Sequence, residues 1–130
     1  ETTENGTRTA SPESLPAIAI TTAGGINIAK DAKPVNPLSS IAAYGAEKLL
    51  SRAETVDAYI VQTGAMNPAK SMSDLLKRPG FSAIKALRNG KVLFIDEQII
   101  SSPVFRYLQG VKTVAHFLYP NEFDKPQAAE

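Results

Sequence analysis

The sequence contains no cysteine and a single histidine, His116. Disulfides, cysteine-based zinc sites and a Cys–His catalytic dyad are therefore excluded. His116 lies beside apolar residues on a predicted helix, and we interpret it as a packing or surface residue. The GxSxG, P-loop and GxGxxG signatures are also absent, and the glycines of AGGIN (23–27) suit the end of a helix better than a phosphate site. We therefore expect a protein that is not an enzyme.

An excess of charge of one sign is also missing. Lysine and arginine number 14, aspartate and glutamate 13, and the formal net charge is +1. Proteins that bind nucleic acid usually carry a concentrated basic surface, so we expect no nucleic-acid partner. No stretch approaches the roughly 18 consecutive apolar residues that a membrane-spanning helix needs.

The chain has 130 residues, of which 43% are hydrophobic, enough for one modest core. We expect a flexible polar lead-in at 1–14, one α/β lobe at 15–120 and a flexible tail at 121–130. The sequence starts with Glu1 and not with methionine, so we expect a mature product or a piece cut from a longer chain.

Two segments, DAYIVQ (57–62) and KVLFID (91–96), are predicted strands. Their apolar runs do not alternate with polar residues, which is typical of parallel strands covered on both faces. With helices between them, they predict an α/β fold: a three-layer lobe with a small, mostly parallel sheet flanked by helices. Two strands are few for a sheet, and we infer that part of it lies outside this chain.

The predicted helices follow from caps, breakers and spacing. They cover 16–24, 45–52, 71–77 with Ser71 or Ser73 as N-cap, 81–88 with Phe81, Ile84 and Leu87 inward, and a last helix that Pro120 ends. In the last helix Ser102 is the expected cap, Pro103 the first residue, and Val104, Leu108, Val111, Ala115 and Leu118 the inner stripe. Residues 31–44 are predicted to be mainly loop.

In parallel sheets, ligands bind beyond the carboxyl ends of the strands. Here these ends lead into the loops 62–68 and 96–103. In the first loop, ligand contact and plain turn chemistry explain Met66 and Asn67 equally well. Arg106 lies one turn into the last helix, off the stripe that we expect Phe105 and Leu108 to bury.

The forked cation of Arg106 suits carboxylate, phosphate or catecholate groups, but a solvated helix arginine is an equal explanation. Glu47 lies on the exposed side of helix 45–52. Taken alone, it is an ordinary solvated glutamate.

Four segments, in this order and spacing, resemble the C-terminal lobe of the ABC-transporter substrate-binding proteins that carry ferric siderophores, haem and cobalamin. They are AGGIN (23–27), GAEKLLSRAETVDAYIV (45–61), RPGFSAIKALRNGKVLFID (78–96) and SPVFRYLQG (102–110). The resemblance covers about residues 15–120. It implies a location outside the cytoplasm and half of a two-lobed fold, without the N-terminal lobe, the linking helix and the strand that opens the second lobe.

The resemblance also implies roles for particular residues and partners. Glu47 matches a glutamate that docks on arginines of the membrane permease, and Arg106 matches an arginine that lines the ligand cleft. The other expected ligand contacts are Gln62, Met66, Asn67, Ser101 and Ser102. The expected partners are the permease, a metal-chelate small molecule and the missing N-terminal lobe. The chelator would hold the metal, so we expect no protein-bound metal or cofactor.

Two other classes remain open. An interaction or sensor module would keep the half-lobe fold without binding a ligand. A small α/β enzyme, such as a fragment of a nitrogenase-like metal-cluster protein, is disfavoured by the lack of cysteine and the lone His116.

Overall fold

The computed structural model of the chain describes residues 1–3, 7–102 and 105–123. The strands are β1 (Thr9–Ala10), β2 (Lys33–Pro34), β3 (Ile41–Ala43), β4 (Tyr59–Thr63) and β5 (Val92–Asp96). The helices are α1 (Leu15–Thr22), α2 (Ala46–Ser51), α3 (Met72–Leu76), α4 (Lys85–Arg88), α5 (Glu97–Ile100), α6 (Phe105–Leu118) and α7 (Pro120–Phe123), with 3-10 turns at Ala53–Thr55 and Phe81–Ala83.

The central feature is the parallel pair of β4 and β5, in register from Tyr59 opposite Val92 to Thr63 opposite Asp96. Successive side chains of a strand point to opposite faces. On one face Val61 packs into a cluster formed largely by α2, α3, α4 and the turn at Phe81–Ala83. On the other face Ile95 packs against α1 and α6. The predicted α/β fold, with a small parallel sheet covered by helices on both faces, is confirmed.

A second, antiparallel sheet in the order β1-β3-β2 was not expected. Two of its strands fall in residues 31–44, which we predicted to be mainly loop. Pro34 led to the prediction of a loop there, because a proline argues against a central strand. It is accommodated because β2 is an edge strand of this sheet, so the missing N–H leaves no gap in its centre.

The first residues also differ from the expected flexible lead-in. Thr9–Ala10 pairs with β3, and Glu1 adds to the outer edge of β4. The Glu1 ammonium donates to the Ile60 carbonyl at 2.7 Å, and the Gln62 N–H donates to the Glu1 carbonyl at 2.8 Å. The polar composition of these residues did not predict this pairing. The charge of Glu1 is compensated by Arg78, which is distant in sequence and could not be recognised as its partner.

Local signals in the middle of the chain are confirmed. The Ser71 hydroxyl accepts a hydrogen bond from the Asp74 N–H, and the Asp74 carboxylate accepts one from the Ser71 N–H, so Ser71 is the N-cap of α3. Phe81 is buried, as expected of a core residue. Gly90 has a φ of 68° and ends α4 in the left-handed conformation that Asn89-Gly90 predicted.

The last helix keeps only part of its predicted inner stripe. Val111 and Leu118 do pack against the core, together with the fully buried Val114. Phe105 and Leu108, expected to be buried, are 93% and 62% exposed. The helix α5, in a segment predicted as loop, meets α6 at Gly110, beyond Phe105 and Leu108, and the first turn of α6 is left exposed.

The predicted start of α6 lies partly outside the described residues, since Pro103 and Val104 are not among them. At the other end, α6 stops at Leu118, and Pro120 begins the short helix α7 inside the expected flexible tail. Proline suits a first helical position, where its missing N–H costs no bond.

Two tyrosines of this C-terminal region hold the two ends of α1. The Tyr107 hydroxyl donates to the Leu15 carbonyl at 2.9 Å, at the start of α1. The Tyr119 hydroxyl donates to the Gly24 carbonyl, just beyond the end of α1. The helices α1 and α6 are therefore fixed to each other at two points.

Candidate functional site

A cavity of about 300 Å³ lies at the carboxyl ends of β4 and β5, where the sheet geometry predicted the site. We call it the rim cavity. It is lined by Thr2, Pro16, Ser40, Ile41, Gln62, Met66, Glu97, Gln98, Ser101 and Ser102. Its wall therefore combines the end of β4, the loop after it, helix α5 and the start of β3.

Four of the predicted ligand contacts meet in the rim cavity: Gln62, Met66, Ser101 and Ser102. The Gln62 Nε2 donates to the Ser101 Oγ at 2.7 Å, which ties the end of β4 to the end of α5. The Met66 side chain is 53% exposed, and with Pro16 and Ile41 it forms the apolar part of the wall.

Asn67 does not line the rim cavity. It is buried, and its Nδ2 donates to the Glu1 Oε1 at 3.0 Å. Its N–H also donates to the Gly64 carbonyl at 3.2 Å. In the structure Asn67 thus closes the turn after β4. Of the two explanations that the sequence left open for Asn67, ligand contact and turn chemistry, the structure shows the second.

Arg106 and Glu47 lie apart from this cavity. Arg106 is exposed in the first turn of α6 and is not among the described residues that line the rim cavity. Glu47 is exposed in the first turn of α2. The cleft role of Arg106 and the docking role of Glu47 both stay predictions.

Sequence reasoning placed residues 96–102 on the cleft side but did not name Glu97 and Gln98 as ligand contacts, because it treated 96–103 as loop. Asp96 accepts a hydrogen bond from the Gln98 N–H at 2.7 Å and is the N-cap of α5. An aspartate followed by a glutamate and an apolar pair is the signal that could have revealed this helix. The helix directs Glu97 and Gln98 into the cavity wall.

The Glu97 carboxylate lies directly over Gly64. A Cβ added to Gly64 would be 2.3 Å from the Glu97 Oε2, so only glycine leaves room for this arrangement. Within the described residues, the Glu97 carboxylate has neither a hydrogen-bond donor nor an ion-pair partner. Lysine, arginine and histidine are also absent from the described residues that line the cavity.

A buried cluster around Glu1 supports the turn next to the site. The Glu1 carboxylate accepts hydrogen bonds from Arg78 at 2.7 Å and from the Tyr59 hydroxyl. Burial alone would raise the pKa of the Glu1 carboxyl, but the adjacent ammonium, Arg78 and Tyr59 together lower it. Burial raises the pKa of Tyr59 well above its usual value, and the Glu1 charge adds to this. At neutral pH the Glu1 carboxyl is therefore ionised and the Tyr59 hydroxyl is neutral.

A larger cavity of about 480 Å³ lies at the opposite, amino ends of β4 and β5. We call it the edge groove, and its lining includes Ile28, Tyr44, Val56, Ala58, Tyr59, Ile60, Lys91 and Leu118. The Ile60 carbonyl faces the outer edge of β4, since it accepts from Glu1, and the Ile60 N–H faces the same way. This N–H has no hydrogen-bond partner within the described residues.

No protein-family model matches the sequence, and no curated protein matches it. Among solved structures, the chain is similar to one described as "The crystal structure of a periplasmic binding protein from Veillonella parvula DSM 2008". The match has 24% identity and a TM-score of 0.48, and it covers 78% of this chain. This chain spans about a third (32%) of that chain's length. At this TM-score the likeness carries no argument about function.

Two further properties of the described residues bear on the site. No helix in this part of the chain is long and apolar enough to cross a membrane. Across residues 1–3, 7–102 and 105–123, no group of three or more His, Cys, Asp or Glu side chains could hold a metal ion.

Proposed function

We propose that the chain is the C-terminal lobe of an extracytoplasmic solute-binding protein that serves an ABC importer. The proposed solute is a metal chelate, such as a ferric siderophore, haem or cobalamin. The observation that carries the proposal is that Gln62, Met66, Ser101 and Ser102 line one cavity at the carboxyl ends of the parallel strands. The four sequence segments that resemble this transporter family support the choice of solute.

The proposed mechanism is capture, and no bond is made or broken. Small-molecule sites usually enclose about 300–1,000 Å³ and place a few polar groups on a mostly fixed wall. At about 300 Å³, the rim cavity is at the small end of this range. It therefore suits one wall of a cleft that a second lobe would complete, with the chelator and not the protein holding the metal.

A titration of the chain with ferric trihydroxamate, haem and cobalamin tests the proposal. The four tyrosines and the absence of tryptophan make tyrosine fluorescence a suitable signal. We expect one of the three to bind, and Gln62→Ala to weaken its binding about fivefold, because one or two hydrogen bonds of the wall are lost.

The matched control is Gln109→Ala, which removes an exposed glutamine on α6 away from the rim cavity. Its affinity should equal that of the unchanged chain. If none of the three compounds binds, or if both glutamine variants lose affinity equally, the rim cavity is not the site of a metal chelate.

The second candidate is an interaction module, and the edge groove is the observation that favours it. Its wall is largely apolar, and the Ile60 N–H faces it without a partner in the described part of the chain. Glu1 already adds to this edge in the parallel sense, one residue further along. The occupant that fits is an extended peptide that continues this pairing. Slower hydrogen exchange at the Ile60 N–H on addition of such a peptide would favour this candidate.

A further inference from the structure

We infer that the rim cavity accepts the cationic or hydrogen-bond-donating arm of a ligand, and that Glu97 selects this arm. The inference rests on the proposed function only in taking the ligand to be a metal chelate. It names the chemistry of the group that enters the cavity, and it assigns that recognition to a residue that was not named individually among the predicted ligand contacts.

The position of Glu97 is the first step of the argument. Its carboxylate is held over Gly64, where a Cβ would stand 2.3 Å away. It is partly buried and lines the cavity, yet it has no donor or counter-charge in the described part of the chain. A carboxylate that lines a cavity without a partner is available to a ligand ammonium or hydroxyl, with which it would form a charge-assisted hydrogen bond.

The neighbours of Glu97 point the same way. The Gln62 Nε2 already donates to Ser101, whereas the Gln62 Oε1 accepts no hydrogen bond within the described residues. The cavity therefore offers free acceptors next to a negative charge. This is the complement of a protonated amine or of a group rich in N–H and O–H donors.

An anionic arm is disfavoured at the same place. The predicted partner for such an arm was Arg106, which is exposed and does not line the rim cavity. A carboxylate or catecholate that entered the cavity would instead meet Glu97 and experience like-charge repulsion. The part of the chelate that this lobe contacts is therefore cationic or neutral.

A matched set of chelates tests the inference on the chain as it is. The probes are a ferric trihydroxamate with a free primary amine, its N-acetylated form, its N-succinylated form, and 1,5-diaminopentane. Affinities come from NMR titration, followed at the backbone resonances of Gln62, Gln98 and Ser101. We expect the amine chelate to bind about tenfold more tightly than the acetylated one, and the succinylated one to bind most weakly.

Three variants test whether Glu97 causes the expected difference in affinity between the chelates. Glu97→Gln removes the charge at constant shape and should reduce the affinity of the amine chelate about tenfold. The affinities of the three chelates should then be similar. Gly64→Ala keeps the charge but forces the carboxylate aside, and should give the same loss. Glu54→Gln, in the turn before the opposite end of β4, is the matched control and should change nothing.

The outcomes separate the inference from the proposed function. If the diamine binds in a Glu97-dependent way and no chelate binds, the inference stands and the metal-chelate function fails. If the chelates bind without regard to their charge, or if Glu97→Gln keeps the discrimination, the function stands and the inference is overturned. If no probe shifts these resonances, both are overturned.

Discussion

Glu1 and Arg78 form a nearly buried ion pair, with side-chain exposures of 1% and 12%. Such pairs are sensitive to the removal of one partner, because the other charge then stays buried without compensation. The contrast within this chain is the pair of Arg88 and Glu54, whose side chains are 48% and 73% exposed. Exposed pairs of this kind contribute about 0–1 kcal/mol.

We therefore expect Arg78→Met to lower the free energy of unfolding by about 3–5 kcal/mol at pH 7, and Arg88→Met by about 1 kcal/mol or less. Urea denaturation of both variants measures the difference. Equal losses would show that the Glu1 cluster does not stabilise the fold.

The same cluster sets an acid dependence. The pKa of the Glu1 carboxyl is lowered in the folded protein from its ordinary value of 4.5. Its contribution is therefore complete above pH 4.5 and is lost as the pH falls below 4.5 through the folded-state pKa. In Arg78→Met this pKa rises towards or above its ordinary value, so the loss of stability below pH 4.5 should be smaller. An unchanged pH profile of unfolding would contradict this.

Among the secondary-structure elements, the junction between α4 and β5 depends on one residue. Gly90 has a φ of 68°, and a Cβ there would touch nothing within 4 Å. Gly90→Ala should therefore lower the free energy of unfolding by about 1–2 kcal/mol through backbone conformation alone. Gly90→Asn should cost less, because asparagine tolerates the left-handed region. Thermal unfolding of the two variants makes the comparison, and equal losses would point to a different cause.

The elements also explain how far sequence reasoning reached. The strands β4 and β5 were predictable, because long apolar runs and the Asn89-Gly90 stop are local signals. The two-residue strands β1 and β2 carry too few residues for a periodic pattern, and their pairing is set by β3. The helix α5 has four residues. The burial of its Ile100 depends on packing against α6, which the local sequence does not show.

The residues of the candidate site also divide into those that local signals predicted and those that depend on distant parts of the chain. Gln62 and Ser101 were predictable because strand ends in a parallel sheet share an edge. Glu97 was not, because the room for its carboxylate depends on Gly64, which lies on another loop. The prediction of Asn67 as a ligand contact was wrong, because its partner Glu1 lies 66 residues away in sequence and could not be foreseen.

For the whole molecule, the proposed transport role depends on a surface apart from the rim cavity. In the two-lobed protein, Glu47→Ala should lower solute uptake at least fivefold while the ligand affinity stays within twofold, because interface charges act on association with the partner. Glu13→Ala, which removes another exposed glutamate, is the control. Normal uptake by the Glu47 variant would remove this residue from the docking surface.

The two tyrosine hydrogen bonds at the ends of α1 have a mechanical consequence. Sliding α1 along α6 by one residue moves it about 1.5 Å, which is enough to break both bonds together. The bond at Leu15 lies next to Pro16, on the wall of the rim cavity, and the bond at Gly24 lies at the far end of the helix. A ligand that displaced Pro16 would therefore have to move α1 together with α6 or break at least one of these two bonds.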